Sequence, residues 1–445
     1  MTGIVAYGAY LPRHRLDAAE AGSGRGERRV AAFDEDPLTM AVEAARSVRR
    51  LGLQPESLTF SSTAPPYLGK NNASAAHAAL GLPEHTAAYD LGGSYRSALG
   101  VLAGSTNGAL VLASDVTLGR PGGADEFERG DAAAAFLLGP DEAAAATIEE
   151  HAGATEELMD HWRAPEAAAA AQWEERFAAD AYLPLLERTL ARLRTTAADH
   201  VVVSSPGART AKAAAKRLAK FGTVAALPGV GHAGAADPLL RLAAVLDRAR
   251  PGETILLVSL ADGCDAVVLR CTERLAAGRA TPAVAEQLAA ARPVRYLDYL
   301  RWRGLLDRAG PRRPDPAVAS APASARNRGW KFALQASRCG ACGAVQAPPQ
   351  RVCVRCAAVD RGKPEPLADA GGTIATFSVD RLAFSLNPPV VAAVVDFDGG
   401  GRLEMELTDA DVTRLRVGGR VRMVFRRRHS SGGVHNYAWK ATQDD

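Results

Sequence analysis

Over residues 1–275 the chain alternates between short apolar runs and amphipathic segments. The runs GIVAYGAYL, ALVLASD and HVVVSSP have the length and apolar content of buried strands. The segment PLTMAVEAARSVRRLG spaces its apolar residues as an amphipathic helix does and ends at a glycine. This alternation is typical of helices packed on a mostly parallel sheet, so it predicts an α/β fold.

The alternation runs through two similar rounds. The first occupies about residues 1–145 and the second about 180–275, which predicts two related halves. Between them, residues 146–179 carry two tryptophans and interrupt the pattern. We interpret this segment as an insertion that could cover a pocket.

The composition and the pattern of apolar residues change towards the C-terminus. Residues 311–329 are rich in Pro, Ala, Ser and Arg and lack apolar periodicity, so 276–329 is interpreted as a connecting segment that ends in a linker. From residue 363 to 445, alternating segments such as GTIATFSVDRLAF and GRVRMVFRRRH are separated by glycine-rich turns. They predict a small β-barrel.

Cysteine spacing predicts a metal site just before that barrel, within residues 330–362. Four of the six cysteines form two C-x2-C pairs with ten residues between them: Cys339, Cys342, Cys353 and Cys356. Two such pairs supply a tetrahedral shell of four thiolates, which suits structural zinc, although iron uses similar spacing. A closed four-thiolate shell has no open position for catalysis.

Charge and hydropathy exclude several classes of protein. With 53 Lys+Arg against 50 Asp+Glu, the net charge of +3 gives no overall reason to bind nucleic acid or a membrane surface. No apolar run approaches the roughly 20 residues of a membrane helix, and the N-terminus has no signal-peptide pattern. We therefore expect a cytoplasmic protein whose cysteines are thiols, metal ligands or nucleophiles rather than disulfides.

Several segments carry a resemblance to a known family: GIVAYGAYLPRHRL, GRPGGADEFERGDAAAAFLLG, GHAGAADPLLRLAAVLDRARPGE and the four-cysteine ribbon with its barrel. On them the chain resembles the thiolase superfamily, on its hydroxymethylglutaryl-CoA synthase and ketoacyl synthase III branch, fused to a DUF35-type zinc ribbon and OB-fold. The resemblance implies a thiolase-like domain of duplicated βαβαβ layers at 1–275, a zinc ribbon at 330–362 and an OB-fold at 363–445. It also implies a homodimer and a coenzyme A thioester as substrate.

The catalytic positions of that family are altered here. Where its nucleophilic cysteine opens a helix, in AAYDLGGSYRSALG, this chain has Ser94. The resemblance places the family's histidine at Ser204, its asparagine at His232 and its general acid/base glutamate near Thr63. These four residues are the expected catalytic positions, and the usual Cys, His and Glu are all replaced.

Other side chains complete the expected site. Tyr67 and Tyr95 offer phenols near the pocket for proton transfer, and Trp162 and Arg163 are expected to line an acyl or pantetheine tunnel. Cys264, in the turn ADGCD, is an alternative nucleophile.

Three functions remain open. The first is an acyl-CoA enzyme that makes or breaks carbon–carbon bonds, either a condensing acyltransferase or a retro-aldolase that needs no acyl-enzyme. The second is a non-catalytic acyl-CoA-binding or scaffold subunit, with a partner enzyme of acyl-CoA metabolism. The third is nucleic-acid binding through the zinc ribbon and OB-fold, for which the basic run 426–429 is the main feature, and the low net charge argues against it.

Overall fold

The computed structural model describes residues 2–22, 26–104, 106–123, 125–306, 317–318 and 320–444. The chain divides into two compact units. Unit 1 comprises 1–32, 36–74 and 83–299, and unit 2 comprises 33–35, 75–82 and 300–445. Residues 311–316 and 319 of the predicted linker lie outside the described residues.

Unit 1 holds the α/β architecture. Its strands are β1 Thr2–Tyr10, β2 His14–Asp17, β3 Glu27–Val30, β4 Ser57–Ser61, β5 Ala87–Asp90, β6 Ala109–Asp115, β7 Ala132–Pro140, β8 Ala146–Thr155, β9 His161–Trp162, β10 Ala171–Gln172, β11 His200–Ser204, β12 Thr223–Val224, β13 Thr254–Leu260, β14 Gly263–Cys271 and β15 Arg292–Pro293. The helices over residues 1–302 are α1 Pro37–Arg49, α2 Ala73–Ala79, α3 Ser97–Gly104, α4 Glu175–Leu190, α5 Ala208–Leu218, α6 Asp237–Leu246, α7 Leu275–Gly278, α8 Val284–Ala289 and α9 Tyr296–Trp302. Of these, α2 and α9 begin in residues of unit 1 and end in residues of unit 2. Three 3₁₀ turns add Ala18–Ala21, Asp141–Ala143 and Gly234–Ala236.

Ten strands of unit 1 form one sheet, in the order β12-β11-β13-β14-β8-β1-β7-β6-β4-β5. In one half β4 pairs in parallel with β5 and β6, and in the other β11 pairs in parallel with β12 and β13. The halves meet where β1 and β8 pair antiparallel. This repeated order confirms the duplication expected from the sequence.

Two sequence expectations about the sheet were wrong. Its central pairings are antiparallel rather than parallel, in part because β13 and β14 are joined by only two residues, which can only reverse the chain. The predicted insertion 146–179 contributes β8, which pairs with both β1 and β14. What remains of that segment outside the sheet is the β9–β10 hairpin and the start of α4.

The core follows the two-residue period of the strands. On β13, Ile255 and Leu257 lie in one buried cluster with Leu239 of α6, whereas Leu256 and Val258 lie in a second cluster with residues of α4 and α5. Because successive side chains point to opposite faces, one strand packs against helices on both sides. The sheet is therefore covered on both faces in this half.

Unit 2 contains a four-cysteine ribbon and a barrel. Its elements are α10 Ala321–Arg326, α11 Arg328–Ala333, β16 Gln335–Cys339, β17 Val345–Gln346, β18 Gly362–Pro366, β19 Gly372–Asp380, β20 Val390–Phe397, β21 Arg402–Leu407, β22 Arg420–Ser431 and β23 Val434–Gln443. Strands β17, β16 and β18 form a small sheet, and β19-β20-β21-β23-β22 form a closed barrel, as the alternating pattern predicted.

The segment interpreted as a linker is partly helical. Helices α10 and α11 occupy residues 321–326 and 328–333, where no apolar periodicity signals them. Both are only six residues long, and such short helices do not need a repeating apolar stripe to form against a neighbouring structure. Within the described ranges, no helix has the length and hydropathy to cross a membrane.

Candidate active site and metal centre

Ser94 lies in the loop between β5 and α3. Its hydroxyl donates a hydrogen bond of 2.6 Å to the Oδ2 atom of Asp262, in the turn between β13 and β14. Arg96 holds the same turn by donating to the Asp262 carbonyl at 3.1 Å and to the Asp265 carboxylate. The backbone of Asp262 is left-handed, with φ of 48°, so this turn is held in a conformation that few non-glycine residues adopt.

Thr63 follows β4 and is bound to a buried carboxylate. Asp115, at the end of β6, accepts hydrogen bonds from the Thr63 amide and hydroxyl, at 2.8 and 2.9 Å. It also accepts from the Ser62 hydroxyl and the Ala235 amide. Burial raises the pKa of Asp115, although these hydrogen bonds act in the opposite direction. The Thr63 hydroxyl is therefore already engaged by a carboxylate.

A second buried carboxylate, that of Asp237, lies next to the other two expected catalytic residues, Ser204 and His232. The Ser204 hydroxyl donates to Oδ2 of Asp237 at 2.7 Å, and Arg241 donates to the same atom at 2.7 Å. The Nε2 atom of His232 lies 3.6 Å from it. Burial alone would raise the pKa of Asp237, but Arg241, His232 and Ser204 together lower it to about 2.

His232 is neutral near pH 7. Burial lowers its pKa to about 4, although Asp237 opposes this shift. The Gly234 amide donates to Nδ1 at 3.3 Å, which assigns the ring proton to Nε2. The Tyr95 ring meets the imidazole edge-on with centroids 5.6 Å apart, and burial raises the pKa of this phenol. His232 can therefore donate a hydrogen bond through Nε2 while carrying no charge.

Of the expected binding residues, Tyr67 and Arg163 line a cleft and Trp162 does not. Tyr67 and Arg163 line a cleft of about 630 Å³ in unit 1, together with Thr63, Gly92 and Gly93, the last two directly before Ser94. Arg163 donates to the Thr63 carbonyl at 2.7 Å. Trp162 is not among the residues lining this cleft; its ring meets that of Trp173 edge-on at 6.4 Å and is 42% exposed.

The two cysteines of unit 1 are poor nucleophiles. Cys264 and Cys271 are both buried in β14. Burial raises the pKa of each thiol to about 11, so little thiolate is present at pH 7. Neither cysteine shows the lowered pKa that an acyl-accepting thiol needs.

The four remaining cysteines come together in unit 2. Their sulfur atoms all lie within 4.8 Å of one another, with 3.7 Å between Cys339 and Cys356 and 3.6 Å between Cys342 and Cys353. Four sulfurs held 2.3 Å from a zinc ion at tetrahedral angles lie about 3.8 Å apart, so the cluster fits this metal. The residues that follow the pairs, Gly343 and Ala357, both have positive φ.

Two of the four residues in the basic run 426–429 are engaged within unit 2. Arg426 is 2% exposed and forms ion pairs with Glu35 and Asp34. The Arg427 guanidinium donates to the Phe33 carbonyl. Arg428 is exposed.

Sequence reasoning missed the acidic partners of the site, Asp115, Asp237 and Asp262. Asp237 lies within the quoted segment GHAGAADPLLRLAAVLDRARPGE, and Asp262 lies in the turn ADGCD that holds Cys264, so both were close to residues already singled out. The pattern carries no sign that either one binds a serine, because Ser94 and Asp262 are 168 residues apart in the chain.

The fold defines a thiolase-like class of protein. Two solved structures share the fold: a hydroxymethylglutaryl-CoA synthase complexed with CoA (TM-score 0.57, 17% identity, 67% of this chain and 89% of that one) and a 3-oxoacyl-(acyl carrier protein) synthase III from Pseudomonas aeruginosa (TM-score 0.53, 20% identity, 61% and 98%). Residues 365–426 match a family model described as ChsH2, C-terminal OB-fold domain.

Sequence relatives specify the family. The hydroxymethylglutaryl-CoA synthase of Archaeoglobus fulgidus is 30% identical over 342 residues, which cover 68% of this chain and 98% of the relative. That of Aeropyrum pernix is 30% identical over 343 residues, covering 68% and 91%. The chain belongs to the hydroxymethylglutaryl-CoA synthase family and carries an additional OB-fold domain.

Proposed function

We propose that unit 1 binds an acyl-CoA and makes or breaks a carbon–carbon bond beside the thioester without forming an acyl-enzyme. The observation that carries this proposal is the hydrogen bond from Ser94 to Asp262, at the position where the resemblance places the family's nucleophilic cysteine. A serine hydroxyl paired with a carboxylate suits proton transfer, whereas neither buried cysteine of unit 1 has the low pKa of a nucleophile.

The remaining groups fit aldol-type chemistry. In the cleaving direction, Ser94 takes the proton of a β-hydroxyl group while its own proton passes to Asp262. The carbon–carbon bond then breaks, which leaves a carbonyl compound and the enolate of the thioester. Neutral His232 donates a hydrogen bond to the enolate oxygen. The proton held by Asp262 then returns through Ser94 to the enolate carbon, which restores both side chains. Condensation runs the same steps in reverse.

Substitutions at the Ser94–Asp262 pair test this proposal. We expect Ser94→Ala and Asp262→Asn each to lower kcat by at least about 100-fold, the usual contribution of a proton-transfer group, with little change in acyl-CoA affinity. Ser74→Ala, which removes an exposed hydroxyl bonded to the Asn71 carbonyl, is the matched control and should keep full activity. Full activity in Ser94→Ala would contradict the assignment.

A second candidate is a non-catalytic acyl-CoA-binding or scaffold subunit. It is favoured by the engagement of Ser94, Thr63 and Ser204 with carboxylates, which gives each hydroxyl a structural role. Tight binding of acyl-CoA with no turnover, alone and with partner enzymes of acyl-CoA metabolism, would favour this function. Turnover by the isolated chain would exclude it.

We also propose that the chain forms a homodimer along β5. This strand lies at the end of the ten-stranded sheet and pairs, within the described residues, with β4 only. Tyr89 on the strand is 62% exposed and Leu91 just beyond it is 45% exposed. An open edge with exposed apolar side chains is a typical pairing surface. Light scattering of the wild type and of Tyr89→Glu tests this, with a shift towards monomer expected for the variant.

For unit 2 we propose one structural zinc ion bound by Cys339, Cys342, Cys353 and Cys356. The sulfur spacings support it, since they match a tetrahedral shell. Four cysteine ligands leave no position for substrate, so the role of the metal is to hold the ribbon between β16 and β18 in its fold.

A further inference from the structure

The guanidinium of Arg96 donates all five of its N–H groups within unit 1. Its Nε and Nη2 atoms bond the two oxygens of the Asp265 carboxylate, at 2.5 and 3.0 Å. The other acceptors are the carbonyls of Ala154 and Asp262 and the hydroxyl of Thr155. A guanidinium has five donors, so none is left here for a ligand. The role of Arg96 is therefore to hold together the segments that it joins.

Two glycines leave the space that this guanidinium needs. A Cβ atom at Gly263 would lie 2.6 Å from the Nη1 atom of Arg96, and one at Gly153 would lie 2.7 Å from the Asp265 carboxylate. Gly263 also has a φ of 141°, which glycine adopts readily and other residues do not. The turn between β13 and β14 is thus shaped to receive the arginine at close range.

The peptide of Asp262 is held from both sides. Its amide donates to the hydroxyl oxygen of Tyr182 at 3.0 Å, and its carbonyl accepts from Nη1 of Arg96 at 3.1 Å. Tyr182, on α4, is completely buried. A left-handed residue such as Asp262 keeps its conformation only where the surrounding structure fixes it. These two hydrogen bonds therefore set the direction in which the Asp262 side chain leaves the turn.

Arg96 also contacts the residue that faces this carboxylate. The Arg96 amide donates to the Ser94 hydroxyl oxygen at 3.1 Å, while the Ser94 hydroxyl donates to Asp262. Hydrogen bonding to Asp265 raises the pKa of Arg96, and the charge of Asp262 acts in the same direction, so the guanidinium stays charged. One residue thus contacts both members of the Ser94–Asp262 pair.

We infer that Arg96 is a positioning residue, whose guanidinium fixes the turn so that the Asp262 carboxylate stays directed at the Ser94 hydroxyl. The inference rests on the proposed function, because it concerns the same pair. A displacement of about 1 Å at reacting groups can cost on the order of 100-fold in rate. A residue that fixes this turn therefore controls kcat without contacting the substrate.

Steady-state kinetics and binding of the full chain test the inference. We expect Arg96→Gln to lower kcat by about 10- to 100-fold, while the acyl-CoA Kd changes by less than about twofold. Because Arg96 acts through Asp262, the double variant Arg96→Gln/Asp262→Asn should have the kcat of Asp262→Asn alone. Losses that multiply in the double variant would overturn the inference.

Two further variants separate geometry from charge. Arg96→Lys keeps the charge but lacks the planar fork, so its kcat should fall as in Arg96→Gln; wild-type kcat in Arg96→Lys would contradict the inference. Arg270→Gln is the matched control, because Arg270 on β14 bonds both oxygens of Glu149 on β8 and thus joins the same two strands. This variant should keep full activity.

Hydrogen exchange, followed by mass spectrometry, tests the turn without requiring turnover. The amides of Ala261 and Asp262 are both hydrogen-bonded in the wild type. In Arg96→Gln we expect them to exchange about 10-fold faster, with β11 unchanged, and no change in Arg270→Gln. Unchanged exchange in the turn, or equal acceleration throughout unit 1, would overturn the inference. If the wild type has no turnover but Arg96→Gln loosens the turn alone, the proposed function fails and the role of Arg96 in holding the turn is supported.

Discussion

The neutral state of His232 gives the protein a specific dependence on pH. An unfolded histidine takes up a proton near pH 6.5, whereas buried His232 does so only near pH 4. Between these values the unfolded chain binds more protons than the folded one, so the free energy of unfolding falls as the pH falls. The full effect is about 3 kcal/mol. Asp237 contributes only below its ordinary pKa of 3.8.

Urea unfolding at pH 7 and pH 5 measures this effect. We expect the wild type to lose about 2 kcal/mol more than His232→Gln over this interval, because the variant has no imidazole to keep neutral. Comparing the change with pH, rather than absolute stability, removes the cost of the substitution itself. Parallel losses in the two proteins would contradict the burial and neutral state of His232.

Single side chains show how far sequence reasoning reaches. The resemblance places the family's catalytic positions at Ser94, Ser204, His232 and Thr63, and each of these side chains lies against a buried or turn-held carboxylate, by a hydrogen bond or within ion-pair distance. The carboxylates themselves were not predicted, since each contact joins segments far apart in the chain and depends on the completed sheet.

Asp115 connects three elements around the cleft. It lies at the end of β6 and accepts hydrogen bonds from Ser62 and Thr63 after β4 and from Ala235 in the 3₁₀ turn before α6. All of these donors meet a single carboxylate, which is completely buried. The carboxylate thereby fixes the relative positions of the loops that carry Thr63 and His232.

Replacing Asp115 by Asn should destabilise unit 1 strongly. The amide group has one acceptor oxygen and brings two donors that meet other donors, so we expect a loss of at least about 3 kcal/mol in the free energy of unfolding. Asp17→Asn is the control, because Asp17 accepts one exposed hydrogen bond from the Ala19 amide and asparagine caps equally well. Denaturant titration that gave both variants wild-type stability would show that the network does not hold these loops.

The elements with strong local signals were the ones predicted well. Helix α1 begins where Asp36 and Thr39 cap it, follows with Pro37 and continues with a regular apolar stripe. The alternating strands of the barrel were equally clear. Strand β8 was missed because its segment ATIEEHAGAT mixes polar and small residues, and its place in the sheet comes from pairing with β1 and β14. Pairing partners override weak local preference.

The metal centre of unit 2 offers a test on the intact chain. We expect elemental analysis of the wild type to give about one zinc ion per chain. Cys356→Ser should lose the metal and have a lower melting temperature, because three thiolates bind zinc less tightly than four. Cys264→Ala removes a cysteine of unit 1 and should retain the zinc. Iron in place of zinc, or full zinc content in Cys356→Ser, would contradict the proposed ligand set.

The central claim is that this member of the hydroxymethylglutaryl-CoA synthase family works without an acyl-enzyme. The most direct test incubates the full chain with a panel of β-hydroxyacyl-CoAs and acyl-CoAs and follows both the thioesters and the protein by mass spectrometry after rapid quenching. We expect products of carbon–carbon bond cleavage or formation while the mass of the protein stays unchanged at every time point. An increase in protein mass equal to the acyl group, on Ser94 or on a cysteine, would contradict it.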